Sequence, residues 1–211
     1  MVECVIFDFD GTLADTEKHS LNIYNNLAEK YGYNKFTKEE VEELKKLSPA
    51  QFIAATNIPY TDIFRVLKEG QKLLKKHMDE INAYSEDIKV ILSDVKSISR
   101  KTGIVSSNLI INIKSFLNKY DISDLDFIVS SPLFSKENKI KRIIRRYRIK
   151  PEQILYIGDE VRDITSSRKA GVNIASASWG YNSKNLLMQN NPDFIMDDLS
   201  EVVSIIKRLN E

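Results

Sequence analysis

Cysteine is almost missing from this chain: Cys4 is the single one among 211 residues. That excludes an internal disulfide and any metal site built from several thiolates. Cys4 falls in the apolar stretch Val2–Phe7, where a buried, unreactive thiol is expected. Histidine is nearly as scarce. His19 and His77 stand far apart in the chain, and each reads as a surface residue rather than a ligand. An excess of one charge is missing too, since 31 Lys and Arg face 30 Asp and Glu, for a net charge of +1. Such a balance removes any general attraction to nucleic acid or to an anionic membrane. No run reaches the roughly 20 apolar residues that cross a bilayer, and Glu3 and Asp8 break the first apolar run before it resembles a signal peptide. No repeat, low-complexity segment or linker rich in Gly, Pro or Ser is present. A soluble, cytoplasmic protein with neither nucleic-acid nor membrane partners is the expectation. Nothing in the sequence sets an oligomeric state.

What is present suits a compact α/β protein. With 42% hydrophobic and 29% charged residues, the chain has material for one medium core plus an insertion. Cys4–Phe7 is a short apolar run ending in the polar turn Asp8-Phe9-Asp10-Gly11-Thr12, as a strand buried on both faces would be. Helical spacing then takes over. Leu21, Tyr24, Leu27, Ala28 and Tyr31 share a face, with Gly32 as a stop. Thr37–Glu40 and Ser48–Gln51 read as two capping boxes, the second with Pro49 at the first helical position. The first opens a helix through Val41, Leu44 and Leu47, and a longer amphipathic stretch follows from Thr61 to Ile81. Strand patterns return at Thr102–Ser106, Asp126–Ser130, Ile154–Gly158, Asn173–Ala177 and Phe194–Met196. Helical patterns lie at Leu109–Tyr120, Glu137–Arg148 and Arg162–Ala170. Alternation of this kind predicts a doubly wound parallel sheet. Residues 1–14 and 83–211 are assigned to the α/β core, and 15–82 to an all-helical insert.

Ligands in open parallel sheets bind beyond the carboxyl ends of the strands. That edge is expected to gather Asp8 and Asp10 from the first strand, and Ser106, Ser107 and Asn108 from the second. Lys136 would come from the loop after the third, and Asp159 and Asp163 from the fourth. Carboxylates, a hydroxyl and an ammonium are what metal-assisted phosphoryl transfer requires. A phosphate ester repels nucleophiles, so the attacker must be positioned and the charge neutralised. A carboxylate can attack phosphorus directly, and a second can protonate the leaving oxygen and later deprotonate water. Mg²⁺ takes about six oxygen ligands. Ser106 and neighbouring amides can donate to phosphoryl oxygens, while Lys136 adds a compact positive charge.

The segment Asp8-Phe9-Asp10-Gly11-Thr12-Leu13 closely resembles the first motif of the haloacid-dehalogenase superfamily. Ile104–Asn108 resembles its second motif, Lys136 its third-motif lysine, and Gly158–Asp163 its fourth, an acidic pair. Arg168–Val172 and Ser178–Tyr181 are similar to the phosphoglycolate-phosphatase-like branch. Glu137 departs from the frequent Pro after the lysine, and Lys139 and Lys141 compete with Lys136 for its role. The resemblance implies a Rossmann-like core with an inserted helical cap, and an Mg²⁺-dependent phosphatase acting on a small phosphorylated metabolite through an aspartyl-phosphate. It implies Asp8 as nucleophile and metal ligand, and Asp10 as acid/base that adds its backbone carbonyl to the metal. Asp159 completes the metal set and Asp163 supports it. Gly11, Ser106, Ser107, Asn108 and Lys136 are implied to bind phosphate. A phosphomutase of the same fold remains an alternative, as does a regulatory or protein-binding module without turnover.

Plainer roles compete for some residues. Asp163 also suits the cap of its helix. The basic run Lys139–Lys150 reads as a solvated helix face. Trp179 is expected to pack over the edge of the core.

Overall fold

The computed structural model describes residues 1–131 and 135–211. Among them, β1 (Cys4–Phe7), β2 (Lys101–Ser106), β3 (Phe127–Ser130), β4 (Ile154–Gly158), β5 (Asn173–Ala177) and β6 (Phe194–Met196) form one parallel sheet. Their order is β3-β2-β1-β4-β5-β6. Strands β1 and β4 are wholly buried, which explains their unbroken apolar sequences. Phe7 is in register with Ile104 on one side and Ile157 on the other, which brings the ends of three strands to one edge. The order reverses between β1 and β4, and a crevice opens outside such a reversal.

Alternate side chains of β1 serve opposite layers. Val5 and Phe7 join a cluster with Ile91 and Val95 of α5 (Ile88–Ile98), Ile113 and Phe116 of α6 (Ile110–Lys119), and Val202 and Ile206 of α10 (Glu201–Asn210). Cys4 and Ile6 pack with Ile140 and Ile143 of α7 (Lys136–Tyr147), Ile164 of α8 (Val161–Ala170) and Leu187 of α9 (Lys184–Gln189). Burial, with a smaller push from the charge of Asp126, raises the Cys4 thiol to about 12. It stays protonated near neutrality, as a structural thiol should. Helix α5 was not anticipated, although Ile88, Ile91, Leu92 and Val95 mark its buried face at helical spacing.

The chain between β1 and α5 is helical: α1 (Glu17–Tyr31), α2 (Lys38–Leu44), α3 (Pro49–Thr56), α4 (Ile63–Leu74) and a 3₁₀ turn at Lys75–His77. Local chemistry sets several of these ends. Gly32 takes the left-handed conformation that ends α1. Thr37 with Glu40, and Ser48 with Gln51, form the reciprocal capping bonds expected of them. Two differences appear. Helix α2 stops at Leu44 rather than Leu47, and the Thr61–Ile81 pattern gives way to the 3₁₀ turn after Leu74. The outgoing and returning segments lie side by side. Ala14 bridges Ala83, Asp15 N donates to Asn82 O at 2.8 Å, and Tyr84 N donates to Leu13 O at 3.1 Å. Above them Ile23, Leu27, Val66 and Leu74 share an apolar cluster with Phe9 and Phe116.

Candidate active site

The turn after β1 is built to present carboxylates. Leu13 N and Ala14 N both donate to Phe9 O, at 2.9 and 3.0 Å, and Gly11 N donates to Ala14 O at 3.0 Å. Gly11 has φ +75°, a left-handed value, and a Cβ there would run into the Asp159 carboxylate. Asp8, which directly follows β1, accepts the Phe9 amide at 2.7 Å through Oδ1. Its Oδ2 receives Lys136 Nζ, which also donates to Asp163 Oδ1 at 2.5 Å. All three side chains are buried.

Asp159 and Asp163 follow β4. Carboxylate oxygens of Asp8, Asp159 and Asp163 all lie within 4.8 Å of one another. Asp159 accepts Thr12 Oγ1 at 2.6 Å and Tyr181 N at 2.8 Å. Asp163 Oδ2 accepts Glu160 N at 3.1 Å, so the residue caps α8 and lines the cluster at once. The two readings of Asp163 in the sequence are therefore compatible.

Three buried acids face one lysine, because Glu160 and Arg162 neutralise each other alongside. The strain shows in the protonation equilibria. Burial, then the charges of Glu160, Asp8 and Asp163, pushes the Asp159 carboxyl well up. Burial likewise raises Asp163 to about 6, against the opposing pull of Lys136. The lysine itself is held well above its usual value, because Asp163 and Asp8 outweigh its desolvation. Excess negative charge carried on oxygen donors alone fits a hard divalent cation.

Asp10 stands apart from that cluster. Asn108 Nδ2 donates to both of its carboxylate oxygens, at 2.8 and 3.0 Å. Burial and then the charge of Asp8 push the Asp10 carboxyl up to about 7. Asn108 is itself fixed: its Oδ1 accepts Asn112 Nδ2 at 2.8 Å and Leu109 N at 2.7 Å. Ser106 is fully buried, and its Oγ accepts Asn108 N at 3.2 Å. Ser107 turns its carbonyl to Gln71 Nε2 of α4, at 2.6 Å. Of the three lysines weighed, Lys136 reaches the acids, whereas Lys141 pairs with Glu137 at 2.6 Å on the surface.

Several neighbours carried no role in the sequence reading. Thr12 and Tyr181 hold Asp159, and Tyr181 OH also meets Thr16 Oγ1 at 2.8 Å and Ser20 Oγ at 3.1 Å. Asn112 and Gln71 brace the loop after β2. Thr12 and Tyr181 lie inside quoted motifs, whereas only tertiary contact reveals Gln71. Trp179 packs near Tyr84 and donates Nε1 to Thr12 O at 3.2 Å. The expectation of two separate histidines needs correction. His19 and His77 are neighbours, with ring centroids 5.2 Å apart, because the two segments joining the insert to the sheet run side by side. Among the described residues no helix is long and apolar enough to cross a membrane.

A family model described as haloacid dehalogenase-like hydrolase matches residues 5–177. A phosphoglycolate phosphatase of Synechococcus elongatus is 26% identical over 210 residues, covering 99% of both chains. Pyrophosphatase PpaX of Bacillus cereus is 25% identical over 217 residues, covering 99% of this chain and 98% of the relative. A crystal structure described as a predicted phosphatase from Clostridium acetobutylicum superposes with a TM-score of 0.82 at 21% identity, covering 99% of each chain.

Proposed function

Because this chain belongs to the haloacid dehalogenase-like hydrolases, we propose that it is an Mg²⁺-dependent phosphatase using Asp8 as nucleophile against a small phosphate monoester. The observation that carries this reading is the convergence of Asp8, Asp159 and Asp163 around Lys136 at the reversal point of the sheet. Asp8, Asp159 and the backbone carbonyl of Asp10 would hold the cation, with Asp163 as support. When bound, Mg²⁺ supplies positive charge that offsets repulsion between the substrate phosphoryl group and Asp8.

The chain's own groups account for the remaining chemistry. Lys136 and the hydroxyl of Ser106, with the Ser107 amide, the loop at Asn108 and the turn at Gly11, bind the phosphoryl oxygens. A carboxylate oxygen of Asp8 bonds to phosphorus as the ester P–O bond breaks. Asp10 gives its proton to the departing alkoxide. A carboxyl raised to about 7 can hold that proton near neutrality and then release it. In the second step Asp10 takes a proton from water, whose oxygen attacks phosphorus and frees Asp8 and inorganic phosphate. Asn108 aims Asp10 through its two hydrogen bonds.

Residues 15–82 are proposed to act as a cap that closes over the pocket and excludes water during the first step. A substrate of the phosphoglycolate kind is supported by the name of the 26% identical relative. The test is hydrolysis of p-nitrophenyl phosphate with and without Mg²⁺, followed by kcat/KM over a panel of phosphorylated metabolites. Asp8→Asn is expected to lower turnover by at least about 10³-fold with the fold intact. Full activity in that variant would remove Asp8 from the mechanism.

A further inference from the structure

We propose that His19, His77 and Glu80 form a second metal site, for a transition-metal dication of the Zn²⁺ class, at the base of the helical insert. One donor atom from each residue lies within 4.8 Å of the others. The Glu80 carboxylate turns one oxygen to each ring: Oε1 is 3.4 Å from His77 Nδ1 and Oε2 is 3.9 Å from His19 Nδ1. The second distance is too long for a hydrogen bond and the first is a weak one. The three groups thus converge without satisfying one another.

A shared ion explains that convergence. Zn²⁺ binds imidazole nitrogen and carboxylate oxygen at about 2.0–2.2 Å, so its ligand atoms sit about 3.3–3.5 Å apart in a tetrahedron. The donors, within 4.8 Å of one another, would have to draw in by about an ångström to bind an ion. The backbone is already set: Glu80 N donates to His77 O at 2.9 Å, and Ser20 N donates to Thr16 O at 2.8 Å in the first turn of α1. Two imidazoles and one carboxylate select Zn²⁺-like ions over Mg²⁺, which prefers oxygen. The His19 side chain is only 17% exposed while that of Glu80 is 63% exposed, leaving an open side for ion entry and a water ligand.

Position gives the site a use. His19 follows the outgoing segment, and His77 and Glu80 precede the returning one, immediately beyond the Ala14–Ala83 bridge. An ion held there fastens the two segments to each other and restrains movement of the insert. The site is independent of the phosphatase reading, since it shares no residue with the acidic pocket.

The test is metal binding to the full chain in a large excess of Mg²⁺, which occupies the acidic pocket. Equilibrium dialysis against Zn²⁺ is expected to leave one Zn²⁺ per chain and to raise the thermal unfolding midpoint. His19→Ala and His77→Gln should each weaken Zn²⁺ binding at least about tenfold and abolish the rise, because two ligands remain where three are needed. Asp8→Asn should keep both effects. Circular dichroism confirms that the variants are folded. Equal zinc retention by wild type and His77→Gln, or no zinc on folded wild type, would overturn the proposal.

Discussion

Thr12 and Asp159, carried by the turn after β1 and the end of β4, are joined by a 2.6 Å hydrogen bond that the threonine hydroxyl donates. It crosses the line where the sheet order reverses and ties the acidic cluster to the turn bearing Asp8 and Asp10. Thr12→Val keeps the volume and removes the donor. It is expected to weaken Mg²⁺ binding about tenfold, as loss of a group that orients a ligand does. Thr12→Ser should restore it. Calorimetric titration of Mg²⁺ into the three proteins measures the effect.

Lys136 is the counter-charge that Asp8 and Asp163 share. Lys136→Met leaves buried carboxylates without it, at a cost of about 3–5 kcal/mol in the metal-free protein. Added Mg²⁺ should recover part of that loss, so the urea midpoints of wild type and variant should draw closer with the ion than with chelator. Turnover should fall by about 10²-fold or more, as expected of the phosphoryl donor that Lys136 is proposed to be.

Gly180 touches the pocket through an absence of atoms. A Cβ there would collide with the Asp159 side chain, and no left-handed φ adds strain of its own. Gly180→Ala is expected to cost about 1–3 kcal/mol by overpacking and to raise the Mg²⁺ concentration needed for half-maximal activity. Unchanged Mg²⁺ dependence would mean that Asp159 is free to move aside.

Asp126 anchors the far end of the sheet. Lys101 at 2.6 Å, Lys96 and the Thr102 amide outweigh the cost of its partial burial and hold its carboxyl down at about 2. A depressed value stabilises the fold above the unfolded carboxylate value of about 3.9, and the gain fades as pH falls toward 2. Solvent screening of this partly exposed cluster reduces the gain, so Asp126→Asn should cost about 1 kcal/mol at pH 7 and little near pH 2. Urea denaturation at the two pH values checks the sign.

How much of this was legible depended on whether a signal was local. The sheet could be read because β1 and β4 are apolar along their length and each ends in a polar turn. The placement of Asp8, Ser106, Lys136 and Asp159 along one edge of the sheet could be read because each follows or ends a strand, or opens a helix behind one. Caps on α2 and α3 are sequence-local and appeared as expected. By contrast, the grip of Asn108 on Asp10 and of Tyr181 on Asp159 joins distant segments, and no spacing rule announces either. The pairing of His19 with His77 was hidden for the same reason: it depends on two segments, far apart in the chain, that lie side by side in the fold.

Asp8 hangs from a strand with neighbours on both sides, its own amide donating to Ile157 O at 2.8 Å. Fraying at either rim of the sheet leaves that attachment untouched, so the carboxylate proposed as nucleophile is carried by the best-protected strand of the sheet. The insert hangs on two short peptide runs and an apolar base. On the proposed reading, a firmly held nucleophile is paired with helices that can move over the substrate.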